Sequence, residues 1–204
     1  MRRRNFMASG ILGGAALLTL TNYKTKRDAL SDSSSPFYIA PQDPLSPGPG
    51  NVDMRTLIHA HQTAKQFSNV EVSVAAKQMG PAPHLHADLD ELMYVVEGTA
   101  TVLIGTEVYE VKQGGWNFRP RGVVHTFWNA QDHPLRFVDC FFNQNFEDYL
   151  DQLFHKIIPE MISRKVTPAD PEIKKQMDAL DKTFGITWFH DRRKPLMEKY
   201  GLNG

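Results

Sequence analysis

The chain has almost no cysteine: Cys140 stands alone among 204 residues. An intramolecular disulfide is excluded, and no cysteine lies near Leu20 to carry a lipid. Export is compatible with that count and is not demanded by it. Excess charge is missing too, because 23 Lys and Arg balance 23 Asp and Glu. The zero hides an asymmetry. Six of the basic residues and one acidic residue precede Ala29, leaving 17 positive and 22 negative side chains for the rest. An acidic body does not offer a nucleic-acid surface. Long apolar runs are absent as well. The most apolar stretch, Ala8 to Leu20, is too short and too glycine-rich for a comfortable transmembrane helix. Because Arg2-Arg3-Arg4 precedes it, residues 1–28 read as a signal peptide. No clean A-x-A cleavage site follows, and an uncleaved segment would serve as a membrane anchor.

What is present divides the remainder into three parts. Residues 29–50 are rich in Ser, Pro, Asp and Gly, with Pro36, Pro41, Pro44, Pro47 and Pro49, and read as a linker leading into an extended arm. From 51 to 142 short apolar-polar alternations are punctuated by glycine and proline, which predicts strands over 55–59, 69–75, 91–97, 100–104, 107–111, 116–119, 123–128 and 135–142. Strands of that length and number predict an antiparallel sandwich or barrel, an all-β class in which closure removes exposed edges. After Phe142 the period changes. Phe146, Leu150, Leu153, Phe154, Ile157, Ile158 and Met161 recur at helical spacing, so 143–204 is a helical extension. The segment Thr167-Pro168-Ala169-Asp170-Pro171 can cap a second helix, whose apolar residues are Ile173, Met177, Leu180 and Phe184 and which ends at Gly185.

Within the strand region two glycine-bounded clusters hold ligand-type side chains. On a strand, His84 and His86 project together while Leu85 faces away, so two imidazoles reach one point. Glu91 opens a later strand in which it shares a face with Met93 and Val95. His125 follows the turn-forming Pro120-Arg121-Gly122 and shares a side with Phe127 and Asn129. Three imidazoles and one carboxylate at this spacing predict a site for one divalent transition metal ion, with iron, manganese, nickel, cobalt and zinc all suited to the donor set. His59-Ala60-His61 repeats the H-x-H spacing but has no carboxylate or third histidine at matching distance. It reads, with His133, His155 and His190, as ordinary hydrogen-bonded or surface histidine.

These clusters resemble the two motifs of the cupin superfamily, H-x-H-x4-E-x6-G and G-x5-P-x-G-x2-H-x3-N. His84, His86, Glu91 and Gly98 match the first; Gly114, Pro120, Gly122, His125 and Asn129 match the second. The short stretch from Gly98 to Gly114 is similar to that of small single-domain bacterial cupins, and no second pair of motifs is present. The resemblance implies a double-stranded β-helix, or jelly-roll barrel, with His84, His86, Glu91 and His125 as metal ligands. It leaves the reaction open, because the superfamily hosts dioxygenases, isomerases, decarboxylases, lyases and binders on one barrel. The tail Phe146-Glu147-Asp148-Tyr149-Leu150, followed by Lys182-Thr183-Phe184-Gly185-Ile186, is similar to that of quercetinase-like cupins.

The leading functional expectation is therefore an exported dioxygenase acting on a small oxygenated, aromatic or enolic compound. Glu91 would act as general base, and Met93, Val95 and Phe127 would line an apolar pocket or fill the barrel core. Arg119 would meet an anionic substrate if it points inward, a matter that the alternation of Trp116 and Phe118 with Asn117 and Arg119 leaves open. A non-redox lyase or isomerase, or a periplasmic binder of metal, sugar or acid, are the competing classes. Arg3-Arg4-x-Phe6-Met7 resembles the twin-arginine export signal, which carries folded proteins and would let the site select its metal before reaching the periplasm. Cupins of this size pair through barrel edges, so a homodimer is expected.

Overall fold

Alternating burial is the physical signature of the middle of this chain. In a computed structural model, which describes residues 35–204, the strand Asp90–Glu97 turns Glu91, Met93 and Val95 inward, and Leu135–Phe142 turns in Leu135, Phe137, Asp139 and Phe141. The proposed signal segment, 1–28, and the first residues of the linker lie outside the described residues. From Ser35 to Gly50 the chain carries no strand or helix and is mostly exposed. Arg55 reaches it by donating to the Asp43 carbonyl at 2.8 Å.

Eleven strands are present among the described residues: β1 Val52–Ile58, β2 Phe67–Val74, β3 Gln78–Met79, β4 His84–His86, β5 Asp90–Glu97, β6 Thr99–Ile104, β7 Glu107–Lys112, β8 Trp116–Arg119, β9 His125–Asn129, β10 Leu135–Phe142 and β11 Ile186–Trp188. They form two antiparallel sheets, ordered β1-β2-β10-β5-β8 and β11-β4-β9-β6-β7, with β3 alongside β9. Inward side chains of both sheets build one apolar core that includes Val70, Val74, Val95, Val102, Leu135 and Phe137. The predicted strands all occur, two of them with the predicted bounds and the others with ends displaced by at most three residues, as expected where edges and turns share the same residues. On β8 the open question of facing is resolved: Asn117 and Arg119 are buried, whereas Trp116 and Phe118 are exposed.

Asn129 shows why the end of the second motif is polar. Its amide nitrogen lies within hydrogen-bond distance of the carbonyls of Val74, Ala75 and His133, and its Oδ1 accepts from the Gln131 amide. One buried side chain thus ties the end of β2 and the β9–β10 connection to the end of β9.

The helical extension packs on the same core. Helix α1, Phe146–Gln152, runs through a widened π turn, Leu153–Ile157, into α2, Ile158–Arg164. The wide turn precedes Pro159, whose ring has no N–H to donate. Helix α3, Pro171–Phe184, begins where Asp170 accepts from the amides of Glu172 and Ile173. It ends at Gly185 in the left-handed region (φ +64°), where an added Cβ would stand 3.2 Å from that of Ala87. Tyr149 donates to Asp181 at 2.9 Å, joining α1 to α3. Helix α4, Arg193–Tyr200, and Leu202 cover the outer side of β9 around Trp128. That cover explains why every residue of β9, not alternate ones, is buried.

One element of the extension is not helical. Ile186–Trp188 returns as β11 and pairs with the histidine strand β4, placing Ile186 opposite His86 and Trp188 opposite His84.

Candidate metal centre

Three elements place the candidate ligands. Strand β4 turns His84 and His86 inward, and His84 lies directly opposite His125 in the β4–β9 pairing. Gly122 fixes the turn ahead of His125 by donating to the His86 carbonyl at 2.8 Å, and the Arg121 amide donates to Asp90 at 2.9 Å. Gly80 lets β4 approach β9 closely: a Cβ there would lie 2.4 Å from the Phe127 carbonyl oxygen. Each of the three histidines then offers one ring nitrogen, with all three nitrogens within 4.8 Å of one another.

Hydrogen bonds set the imidazole tautomers. His84 Nδ1 lies 2.8 Å from the Ala82 carbonyl and His125 Nδ1 lies 3.0 Å from the Val123 carbonyl. A carbonyl only accepts, so Nδ1 carries the proton in each ring and Nε2 is left as a lone pair. His86 has no hydrogen-bond partner at either ring nitrogen, although it is fully buried. Phe146 from α1 meets its ring edge-on at 4.8 Å, and Trp188 from β11 lies 4.8 Å from the His84 ring. The extension therefore walls the cluster on two sides.

Glu91 stands beside the three histidines. One carboxylate oxygen is 2.7 Å from His125 Nε2, and the other is 3.8 Å from His86 Nε2. With the His125 proton on Nδ1, that short contact sets a lone pair against a carboxylate oxygen, an arrangement that needs a cation or a proton between them. Buried and unpartnered Nε2 atoms of His86 and His125, together with the adjacent Glu91 Oε2, fit a divalent ion by chemistry as well as by position.

Behind Glu91 lies a buried ion-pair triad. Arg119 is only 1% exposed, so it does point inward, but carboxylates already occupy it. Its Nη2 donates to Asp139, and its Nε is 3.6 Å from Glu91. An incoming anion would have to compete with both. Sequence reasoning passed over Asp139, yet a signal was available: it occupies an inward, apolar position of β10 between Phe137 and Phe141. Met93 and Val95 are fully buried in the core, and Phe127 stacks edge-on to Phe137 at 5.0 Å. These three fill the barrel interior next to the cluster.

The local field keeps the donors in ligating form. Burial, reinforced by His125 and His86, holds His84 well below its ordinary value. Burial likewise pushes His86 down to about 4, with Glu91 opposing. For Glu91, burial alone would raise the carboxyl, but Arg119 and His125 outweigh it and hold it well below the usual range. Burial raises Asp139 to about 6 against the pull of Arg119.

These shifts carry a pH prediction for the metal-free protein. The unfolded chain protonates His86 near 6.5 and the folded chain near 4, so its contribution to stability is complete above 6.5 and is lost as pH falls toward 4. The full loss is roughly 3 kcal/mol. Asp139 acts with the opposite sign between about 6 and 3.8, so the effect is read as a difference. In urea unfolding, wild type is expected to lose stability relative to His86→Leu across this window. Parallel pH curves for the two proteins would remove burial of a neutral His86 as the cause.

Two antiparallel sheets packed on one core, with three inward histidines and an adjoining glutamate, define a jelly-roll barrel with a candidate metal centre. Residues 70–141 match the Cupin domain family, and this barrel is a cupin domain. A curated relative, an uncharacterized protein of Aquifex aeolicus (strain VF5), is 26% identical over 83 residues, which make up 41% of this chain and 65% of the relative's length. Among solved structures, KdgF from Halomonas sp. is 19% identical, with 50% of this chain and 86% of that one covered and a TM-score of 0.44. The polyketide cyclase RemF from Streptomyces resistomycificus is 28% identical over 46% of this chain and 66% of that one, with a TM-score of 0.41.

Proposed function

We propose that this protein is a metal-dependent oxidoreductase of the quercetinase-like kind, acting on a small enolic or aromatic oxygenated compound. The observation that carries the metal part is the 2.7 Å approach of Glu91 to His125 Nε2, the ring nitrogen not tied to the Val123 carbonyl. His84, His86 and His125 would hold the ion, and Glu91 would complete the set or stand aside as base. When bound, the ion would supply Lewis-acid polarisation of a substrate oxygen and, if redox-active, a route for dioxygen.

The remaining roles belong to this chain's own side chains. Glu91 is held ionised, the state from which it accepts a substrate hydroxyl proton. Arg119, pinned by Asp139, fixes the carboxylate from behind and prevents it from swinging into the core. Phe146 and Trp188 orient the His86 and His84 rings and keep bulk water from them. The resemblance of the Phe146–Leu150 segment to the quercetinase-like tail is what favours dioxygen chemistry over the other classes.

Export by the twin-arginine route and pairing into a homodimer belong to the same proposal. The exposed Trp116 and Phe118 on edge strand β8 supply an apolar surface for such pairing. A monomer in sedimentation would remove that part of the reading.

The enzymatic test uses full-length, metal-replete protein and a set of flavonols in an oxygen electrode. Oxygen uptake equal to substrate loss, reduced by about 100-fold or more in Glu91→Gln, is the expected outcome. Turnover that proceeds equally well without oxygen would redirect the assignment to a lyase or isomerase. Saturable binding with no turnover would leave a binding protein.

A further inference from the structure

Away from the barrel histidines, a cleft of about 250 Å³ opens between the turn at Ala60–Thr63 and the start of α1. Its lining includes His61, Lys65, Asn143, Glu147 and Asp148. Glu147 is unusual for a carboxylate: it is 2% exposed and satisfied on one side only. Its Oε1 accepts from the Ala60 amide at 2.7 Å, whereas its Oε2 is buried with no hydrogen-bond partner. A carboxylate oxygen in that position lacks a donor or a cation.

The neighbours of Glu147 are of the kind that bind one. His59, Glu147 and Asp148 each offer a donor atom, and the three lie within 4.8 Å of one another. His59 is oriented by stacking on His61, with ring centroids 5.3 Å apart. Asp148 is exposed and is steadied by the Asn145 side-chain amide, which donates to Oδ2. Imidazole plus two carboxylates, with one side open to solvent, is a donor set for a borderline divalent ion such as zinc or manganese.

We propose that His59, Glu147 and Asp148 form a second divalent-cation site on this chain, separate from the barrel centre. Its structural effect is to staple the turn after β1 to the first turn of α1. Phe146, adjacent to Glu147, lies against the His86 ring, so an ion there also secures one wall of the barrel site.

The test counts zinc bound by calorimetry to chelator-stripped, full-length protein. Wild type is expected to take up two ions per chain, and Asp148→Asn and His59→Ala only one each. Asp148 is exposed, so its replacement leaves the fold intact, which circular dichroism verifies. Glu147→Gln keeps an acceptor for the Ala60 amide and is expected to weaken the second uptake at least about tenfold through loss of the charge. The double variant His84→Ala, His125→Ala is expected to retain one ion, removed by adding Asp148→Asn. Equal zinc counts in wild type, Asp148→Asn and His59→Ala would overturn the proposal. This assay reads binding alone, so failure of the oxidoreductase reading leaves its outcome unaffected.

Discussion

Replacing Arg119 with methionine lowers stability by about 3–5 kcal/mol, the range for removing one member of a buried ion pair. The guanidinium is buried between Asp139 and Glu91, and methionine leaves both carboxylates in the interior without a positive partner. Denaturant unfolding of metal-free protein measures the loss, because an ion at the histidines would mask part of it. The double variant Arg119→Met, Asp139→Leu regains more than half, since it removes the second charge along with the first and fills the site with apolar atoms. A loss below about 1 kcal/mol for Arg119→Met would mean that the triad contributes no more than a surface pair. No additional recovery in the double variant would place the cost in lost packing against Phe127, over which the guanidinium lies at 5.9 Å.

The second large effect concerns the metal itself. His84→Ala and His125→Ala are each expected to weaken retention at the barrel centre by more than about 100-fold, beyond the 10–100-fold typical of changes in the residues that orient ligands. Each of these rings points a lone pair at the common centre because its other nitrogen is tied to a carbonyl. Elemental analysis after passage over a chelating resin, which strips weak surface ions, reads the outcome. Asn129→Ala serves as the contrast: it cuts the ties to Val74, Ala75 and His133 without touching the centre. Stability falls in that variant, whereas metal per folded chain stays unchanged. Wild-type retention in His84→Ala and His125→Ala would sink the assignment of this centre, and with it the enzymatic reading.

Twin-arginine export, which would matter for metal selection, rests on Arg3-Arg4-x-Phe6-Met7 and lies outside the described residues. Within residues 35–204 the physical causes of what was legible can be separated from those of what was not. Alternation along 90–97 is a local, period-two property, so the shared face of Glu91, Met93 and Val95 followed from residue order alone. The same holds for α3, whose start and stop are written in Asp170, Pro171 and Gly185. The imidazoles at 84 and 86 share a face by that local rule, and His125 joined them through its motif spacing.

Contacts between distant segments obey no such local rule. Nothing near residue 84 announces that Ile186–Trp188 will add a strand beside it, because three residues of β-type sequence after a helix carry too little period to read. The direction of Arg119 depended on which face of β8 met the core, and its neutralisation on Asp139 two strands away. His59 was dismissed for want of a carboxylate nearby in sequence, and folding brings Glu147 and Asp148 to it from nearly ninety residues further along. The sequence by itself thus determined the barrel, its inward faces and the histidine-glutamate set, all of which depend on short-range periodicity and spacing. Only the tertiary structure decided how the extension walls that set, what holds Glu91 from behind, and where a second group of donors meets, because side chains far apart in the chain come together only once the core between them has packed.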